Sequence, residues 1–307
     1  MVDYWQMRAS EFHPYPVETI HELPDSLRGP ALAAFRQDET FVRALVVPAT
    51  YRSVGDEESI TVPEQALVYT SSGVFHIRAP LEAEAAATAF LKPEALLLLR
   101  SSHLLLNGRL YLVGAVHGQL VEVNIEFNAM GWDIMELEWK DLVCKAIGLP
   151  SQCTDKVEAK GDHTTAIIEG LKHKFADGLR RYGLYTGETL LGTVFQKAVW
   201  SQQLLSLFEQ QLVPNTLLAL TNASVLLLAE ESALVRESEQ FGLIVTRIPR
   251  QAIAAIQSVT KDSLQEITFY LSRGGVTAEP RLSLDPTTAT QWLELWAEYA
   301  SEEDRSS

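Results

Sequence analysis

One stretch of this chain occurs twice, and that duplication limits what it can fold into more than any other feature. Thr61 to Arg78, TVPEQALVYTSSGVFHIR, aligns without a gap with the segment Leu212 to Glu230, LVPNTLLALTNASVLLLAE. Val62-Pro63 falls on Val213-Pro214, Leu67 on Leu218, Thr70-Ser71 on Thr221-Asn222 and Val74 on Val225. Each copy reads as a proline, an apolar run, a polar turn and a second apolar run. That is the pattern of a β-hairpin, with the proline at the front, where its missing N–H costs no ladder bond.

The likeness extends on both sides of the hairpin. Upstream, Glu39-Thr40 leads into the apolar strand Phe41 to Val47, and Glu188-Thr189 leads into Leu190 to Phe195. Downstream, Ala95, Leu96 and Leu99 fall on Ala252, Ile253 and Ile256. Further strands follow at 110–116 and 120–127, joined at His117-Gly118. Their counterparts are 266–271 and 281–284, joined through Arg273-Gly274-Gly275. Val121, Val123, Ile125 and Phe127 alternate on one face, as do Ile267, Phe269 and Leu271. Each copy ends in an amphipathic helix. One has Met135, Leu137, Leu142 and Val143 beside Trp132 and Trp139. The other has Trp292, Leu295, Trp296 and Tyr299 behind an Asp285-Pro286 start, its tryptophans expected to plug the core. Leading helices are expected at 25–37, capped by Asp25, and at 165–182.

A period near 150 residues is too long for a solenoid and implies two whole units of one fold, each with its own core. The expected division is an irregular arm at 1–22, a first unit at 23–150, a linker at 151–164 and a second unit at 165–307. Each unit is a run of short antiparallel strands closed by a helix, which makes the chain a β-dominated α+β protein.

The hairpin with its Thr-Ser or Thr-Asn turn, an Ile248-Pro249 strand start and the Trp-bearing terminal helix resemble the bacterial pleckstrin-homology-like (PH-like) domain family. The resemblance is closest over residues 186–300. It implies two tandem small antiparallel barrels, each closed by a C-terminal helix, and it leaves function open. In members that bind phosphoinositides the first hairpin loop carries clustered Lys and Arg. Here that loop has Lys197 with Glu209 in the second unit, and Arg52 with Asp56, Glu57 and Glu58 in the first, so the phosphate-binding pattern is not there.

A formal net charge of -15 excludes a general nucleic-acid binder, which needs clustered cations to displace counterions. The longest apolar run, Leu96 to Leu106, is broken by Arg100 and His103 and falls short of the roughly 20 residues of a spanning helix. With no apolar leader at the N-terminus, the expected location is cytoplasmic. The two cysteines, Cys144 and Cys153, make no disulfide framework, and the seven histidines fall in no metal-ligand spacing. No nucleophile elbow, P-loop or dinucleotide fingerprint is present, so no catalytic residue, cofactor or metal is assigned. Lys172, Lys174, Arg180 and Arg181 form the only notable basic cluster, a candidate contact for a partner or a membrane. The reading is a non-enzymatic scaffold with protein partners. A peripheral membrane module using the basic helix 172–181 is the alternative.

Overall fold

The computed structural model describes residues 13–35, 39–54, 58–80, 86–103, 107–128, 132–150, 162–201, 210–231 and 242–303. Strand β1 (Tyr15–Val17) comes first, helix α1 (Asp25–Ala34) follows, and β2 (Phe41–Val47) then pairs antiparallel with β1. A small hairpin, β3 (Thr50–Val54) and β4 (Glu58–Val62), leads to β5 (Gln65–Thr70), β6 (Val74–Arg78) and β7 (Ala87–Leu91). These form an antiparallel sheet in the order β1-β2-β5-β6-β7. Then come β8 (Leu96–His103), β9 (Asn107–Val116), β10 (Gln119–Asn128) and helix α2 (Trp132–Ala146).

The second repeat opens with α3 (Asp162–Glu169) and α4 (His173–Gly178), continued by a π-helical turn at Leu179–Gly183. It proceeds through β11 (Leu190–Gln196), the hairpin β12 (Val199–Trp200) and β13 (Gln211–Val213), β14 (Thr216–Thr221), β15 (Ser224–Glu230) and β16 (Leu243–Pro249). Strands β17 (Ile253–Lys261), β18 (Leu264–Arg273), β19 (Val276–Ala278) and β20 (Arg281–Leu284) follow, and α5 (Pro286–Glu303) closes it.

The duplication holds down to its irregularities. The first strand of each repeat bulges at the same place, between Phe41 and Arg43 and between Leu190 and Gly192. So do β8, between Leu96 and Leu98, and β17, between Ile253 and Ala255. His117-Gly118 and Gly274-Gly275 both have positive φ, as a tight two-residue hairpin turn requires. The counterpart of β10 is split into β19 and β20 around Pro280, yet both pieces keep one register on β18.

Several expectations need correction. The sheets are open, not closed barrels. The N-terminal arm is not wholly irregular, because Tyr15–Val17 pairs with β2. Pro24, not Asp25, occupies the N-cap position of α1, and Asp25 instead pairs with Arg28 at 2.8 Å. Ile248-Pro249 ends β16 and starts no strand. Residues 162–164, assigned to the linker, belong to α3, and the single helix expected over 165–182 is broken at Gly170–Lys172. Leu137 faces solvent, and of the two α5 tryptophans only Trp292 is fully buried, while Trp296 is half-buried beneath Arg250. Asp285 caps α5 as expected, accepting hydrogen bonds from the Thr287 and Thr288 amides at 3.0 and 3.1 Å. Residues 1–12, 151–161 (with Cys153), Asp56, Glu57 and Glu209 lie outside the described residues.

The chief surprise is how the repeats join. β8 of the first pairs antiparallel with β16 of the second, from Leu99↔Arg247 to His103↔Leu243. This makes one seven-stranded sheet, β10-β9-β8-β16-β15-β14-β11, across both halves. Separate cores were expected, but they are shared. Leu96 and Leu99 face the first core, while Leu97, Leu98 and Val113 belong to the cluster around Val225, Phe269 and Trp292 of the second. Burial on both faces explains why residues 96–99 are uniformly Leu instead of alternating. Arg273 completes the joint. Its Nη1 donates to the carbonyls of Leu96, at 2.9 Å, and of Ala146 at the end of α2, at 3.3 Å.

The leading helices cover the outer faces of the first sheets at matching positions. Leu27 and Ala31 of α1 lie on Ala66, Val68, Phe75 and Ile77; Phe175 and Leu179 lie on Leu217, Ala219, Leu226 and Leu228. The repeated Glu-Thr pair holds each hairpin turn. Thr40 and Thr189 accept at their carbonyls from Ser71 and Asn222, at 3.0 and 3.1 Å. Beyond that point the repeats diverge. In the second, Glu188 is buried and its Oε1 accepts from Thr221 Oγ1 (2.8 Å), Ser224 Oγ (2.8 Å) and Arg247 Nη1 (2.7 Å). Arg247 also donates to the Gly183 carbonyl and lies 4.6 Å over the Tyr185 ring. In the first repeat the places of Ser224 and Arg247 are taken by Gly73 and Phe90. The Phe90 ring stacks on Phe75 at 4.4 Å and occupies the space a Gly73 Cβ would need.

Removing one partner of a buried, hydrogen-bonded ion pair typically costs roughly 3–5 kcal/mol, because the other charge is stranded. Arg247→Met should therefore destabilise the chain by about that much in urea unfolding. Adding Glu188→Leu should recover a large part of the loss. A single variant within about 0.5 kcal/mol of wild type would show that the pair is not desolvated as described.

Candidate interaction surface

Three features of the described residues bear on function: the basic cluster, the buried histidines and the unpaired sheet edges. The basic cluster does not form one cationic face. Lys174 turns inward to Glu230, with Nζ 3.2 Å from Oε1, and Lys172 lies with its ammonium 5.0 Å over the Phe195 ring. Both are thus drawn onto the sheet beside α4. Arg180 and Arg181 are exposed on the π-helical turn, and Asp177, 3.9 Å from Arg180 and 3.3 Å from His173, sits among them. A straight-helix reading placed four cations together, but the wider i→i+5 turn at Leu179–Gly183 carries Arg180 and Arg181 off the α-helical spacing, and Lys174 is held by Glu230.

Two histidines are structural. His76 bonds to Gln65 at 2.9 Å, and burial, with Arg78 nearby, pushes its pKa down to about 4. His103, at the end of the β8–β16 joint, is stacked between Trp132 of α2 and Tyr182 of the π-helical turn, with ring centroids 4.3 and 3.7 Å away. Burial lowers its pKa to about 3. The aromatic sandwich ties the closing helix of one repeat to the leading segment of the next. Neither ring has the neighbours of a metal ligand, and among the described residues no group of three or more His, Cys, Asp or Glu is placed to hold a metal ion. Cys144 is a buried thiol in α2.

The sheet edges are the more informative feature. Strand β17 pairs with β18 on one side, and no described strand pairs with the other. The free side is long and mostly exposed. From Ala254 to Thr260 it carries no charge and no proline, and Val259 is 61% exposed. Proteins ordinarily blunt such an edge with charges, proline or a covering loop. Among the described residues, the devices of this kind on β17 are Lys261 at the far end and the bulge at Ile253. β17 corresponds to β8, and the joint between the repeats is made on that same side of β8. The sequence reading aligned Ile253 and Ile256 with Leu96 and Leu99 but did not recognise β17 as an edge.

Compared with known proteins, the chain matches no family model and no curated protein. No helix of the described residues is long and apolar enough to cross a membrane.

The buried histidines give a pH dependence. Both folded-state pKa values lie below the ordinary value near 6.5, so below pH 6.5 the unfolded chain binds more protons and stability falls. The loss should run from about pH 6.5 to about 4 for His76 and to about 3 for His103, at up to about 1.4 kcal/mol per pH unit for each imidazole. In His103→Phe, thermal melting should fall less steeply between pH 6.5 and 4 than in wild type. An unchanged slope would mean that His103 titrates normally in the folded protein.

Proposed function

We propose that the chain is a non-enzymatic scaffold of two tandem PH-like units, acting in the cytoplasm through protein–protein contacts. The order common to both repeats supports the reading: β2, β5, β6 and β7 correspond to β11, β14, β15 and β16, β8 to β10 correspond to β17, β18 and the split pair β19 and β20, and a helix follows each set. The open side of β17 carries this reading: an exposed, uncharged strand offers backbone donors and acceptors to an extended segment, the mode called β-augmentation. Side chains at Ile256, Ser258 and Val259 would then choose among partners by alternation along the strand.

The membrane alternative draws on a weaker cluster than the sequence suggested, because Lys174 is paired with Glu230 and Asp177 lies beside Arg180. A basic residue near an anionic leaflet contributes about 1 kcal/mol, and several are needed for retention.

Val259→Glu puts a charge on the exposed edge without touching a core, so the protein should fold normally and lose proteins that wild type captures. Vesicles of anionic lipid should not sediment the wild-type chain at physiological salt. Capture indifferent to Val259→Glu would refute the edge reading. Salt-sensitive vesicle binding lost in Arg180→Glu with Arg181→Glu would favour the membrane instead.

A further inference from the structure

We infer that the partner of the β17 edge is the β7 edge of a second copy of this chain, so that molecules associate head to tail. The inference rests on the binding reading above and names its occupant. The chain already contains one such joint. β16 of the second repeat pairs with β8 of the first, and the equivalents of these two strands are β7 and β17. Those are strands left at the edges of their sheets, with no described strand on their outer sides. The internal joint therefore leaves its own two complementary edges without a strand partner among the described residues.

The backbone phases agree. β7 pairs with β6 through Val74↔Leu91, and β16 pairs with β15 through Val225↔Ile248, the same step in each repeat. β17 pairs with β18 in the register of β8 on β9, with the bulge at the same residue. The outward N–H and C=O groups of β7 and β17 thus alternate as those of β16 and β8 do. Carrying the internal register across gives Ala89↔Gln257, Thr88↔Ser258 and Ala87↔Val259, where the internal joint has Thr246↔Arg100, Val245↔Ser101 and Ile244↔Ser102. None of the residues paired at the external joint is charged, and Ala87 and Thr88 are exposed. A one-residue slip would turn every pair to the opposite face, so the register is a specific claim.

Such a contact joins two different surfaces, so it is heterologous and extends to open chains or closes to a ring, instead of stopping at a dimer. The external joint lacks the aromatic sandwich around His103, whose place on β17 is taken by Thr260. It should be weaker than the internal one and dependent on concentration.

Sedimentation velocity of the full chain over a wide concentration range tests this. Wild type should show a weight-average mass that rises through multiples of the chain mass. Ala87→Glu with Val259→Glu sets like charges opposite one another and should weaken association by about tenfold or more. Ala87→Glu with Val259→Lys, at the same two positions, should restore it. Both sites are exposed, and melting curves of the variants check that they fold. Wild type sedimenting as one monomer at every concentration would overturn the inference. So would equal association of the two double variants. Ala87→Glu alone separates this claim from the general one, because a foreign partner on β17 would be indifferent to it.

Discussion

The ladder between β8 and β16 is the constraint on which the rest of the structure depends. It brings together residues nearly half the chain apart, Leu99 with Arg247 and His103 with Leu243. Closing so long a loop costs conformational entropy, and the cost rises only slowly with length. What offsets it is burial on both faces of β8 and β9, with Leu96 and Leu99 in one core and Leu97, Leu98 and Val113 in the other. Arg273 on the carbonyl ends of Leu96 and α2, and His103 between Trp132 and Tyr182, then fix the joint from two directions. Two units that could have been beads on a string become one sheet.

The duplication also serves as an internal comparison. At one pair of positions the second repeat has Ser224 and Arg247, joined to Glu188, and the first has Gly73 and Phe90. The substitutions are coupled by space. A hydroxyl is needed where a guanidinium must be satisfied, and no side chain fits where an aromatic ring lies flat. β16 is a central strand and β7 an edge, so the charged version is the one sealed from water on both sides. Glu39, the counterpart of Glu188, stays at the surface of the first repeat and accepts from Ser72 at 3.1 Å. The ionic version directs Arg247 onto the Gly183 carbonyl and the Tyr185 ring, which positions the segment entering the second repeat.

Much of this architecture was legible in the sequence. The hairpins around Thr70 and Thr221, the alternation along β10 and β18, the Asp285 cap and the closing helix of each unit follow from local rules of period, turn and cap. The joint was not legible, because pairing between strands far apart leaves no local pattern. The run at Leu96–Leu99 signalled two buried faces without saying what lay on the second. The repeated Glu-Thr pair was visible as a motif, but the partner of Glu188 sits on β16, 59 residues away, inside a strand whose Arg247 reads as an ordinary polar position. The basic cluster misled for a related reason. Helical spacing assumed one straight α-helix, and the π-helical turn at Leu179–Gly183 carries Arg180 and Arg181 off that spacing while Glu230 holds Lys174. The free edge of β17 was hidden because whether a strand lies at an edge depends on the whole sheet.

Hydrogen exchange measured segment by segment addresses the fusion of the two repeats most directly. If β8 and β16 form the centre of one sheet, the amides of 99–103 and 243–247 that bond across the joint should exchange only through global unfolding. Their protection should then match that of Leu218 and Leu226 in the middle of the second repeat. Rapid exchange at 99–103 and 243–247, with the two halves opening at separate free energies, would contradict the single sheet and return the protein to two independent units.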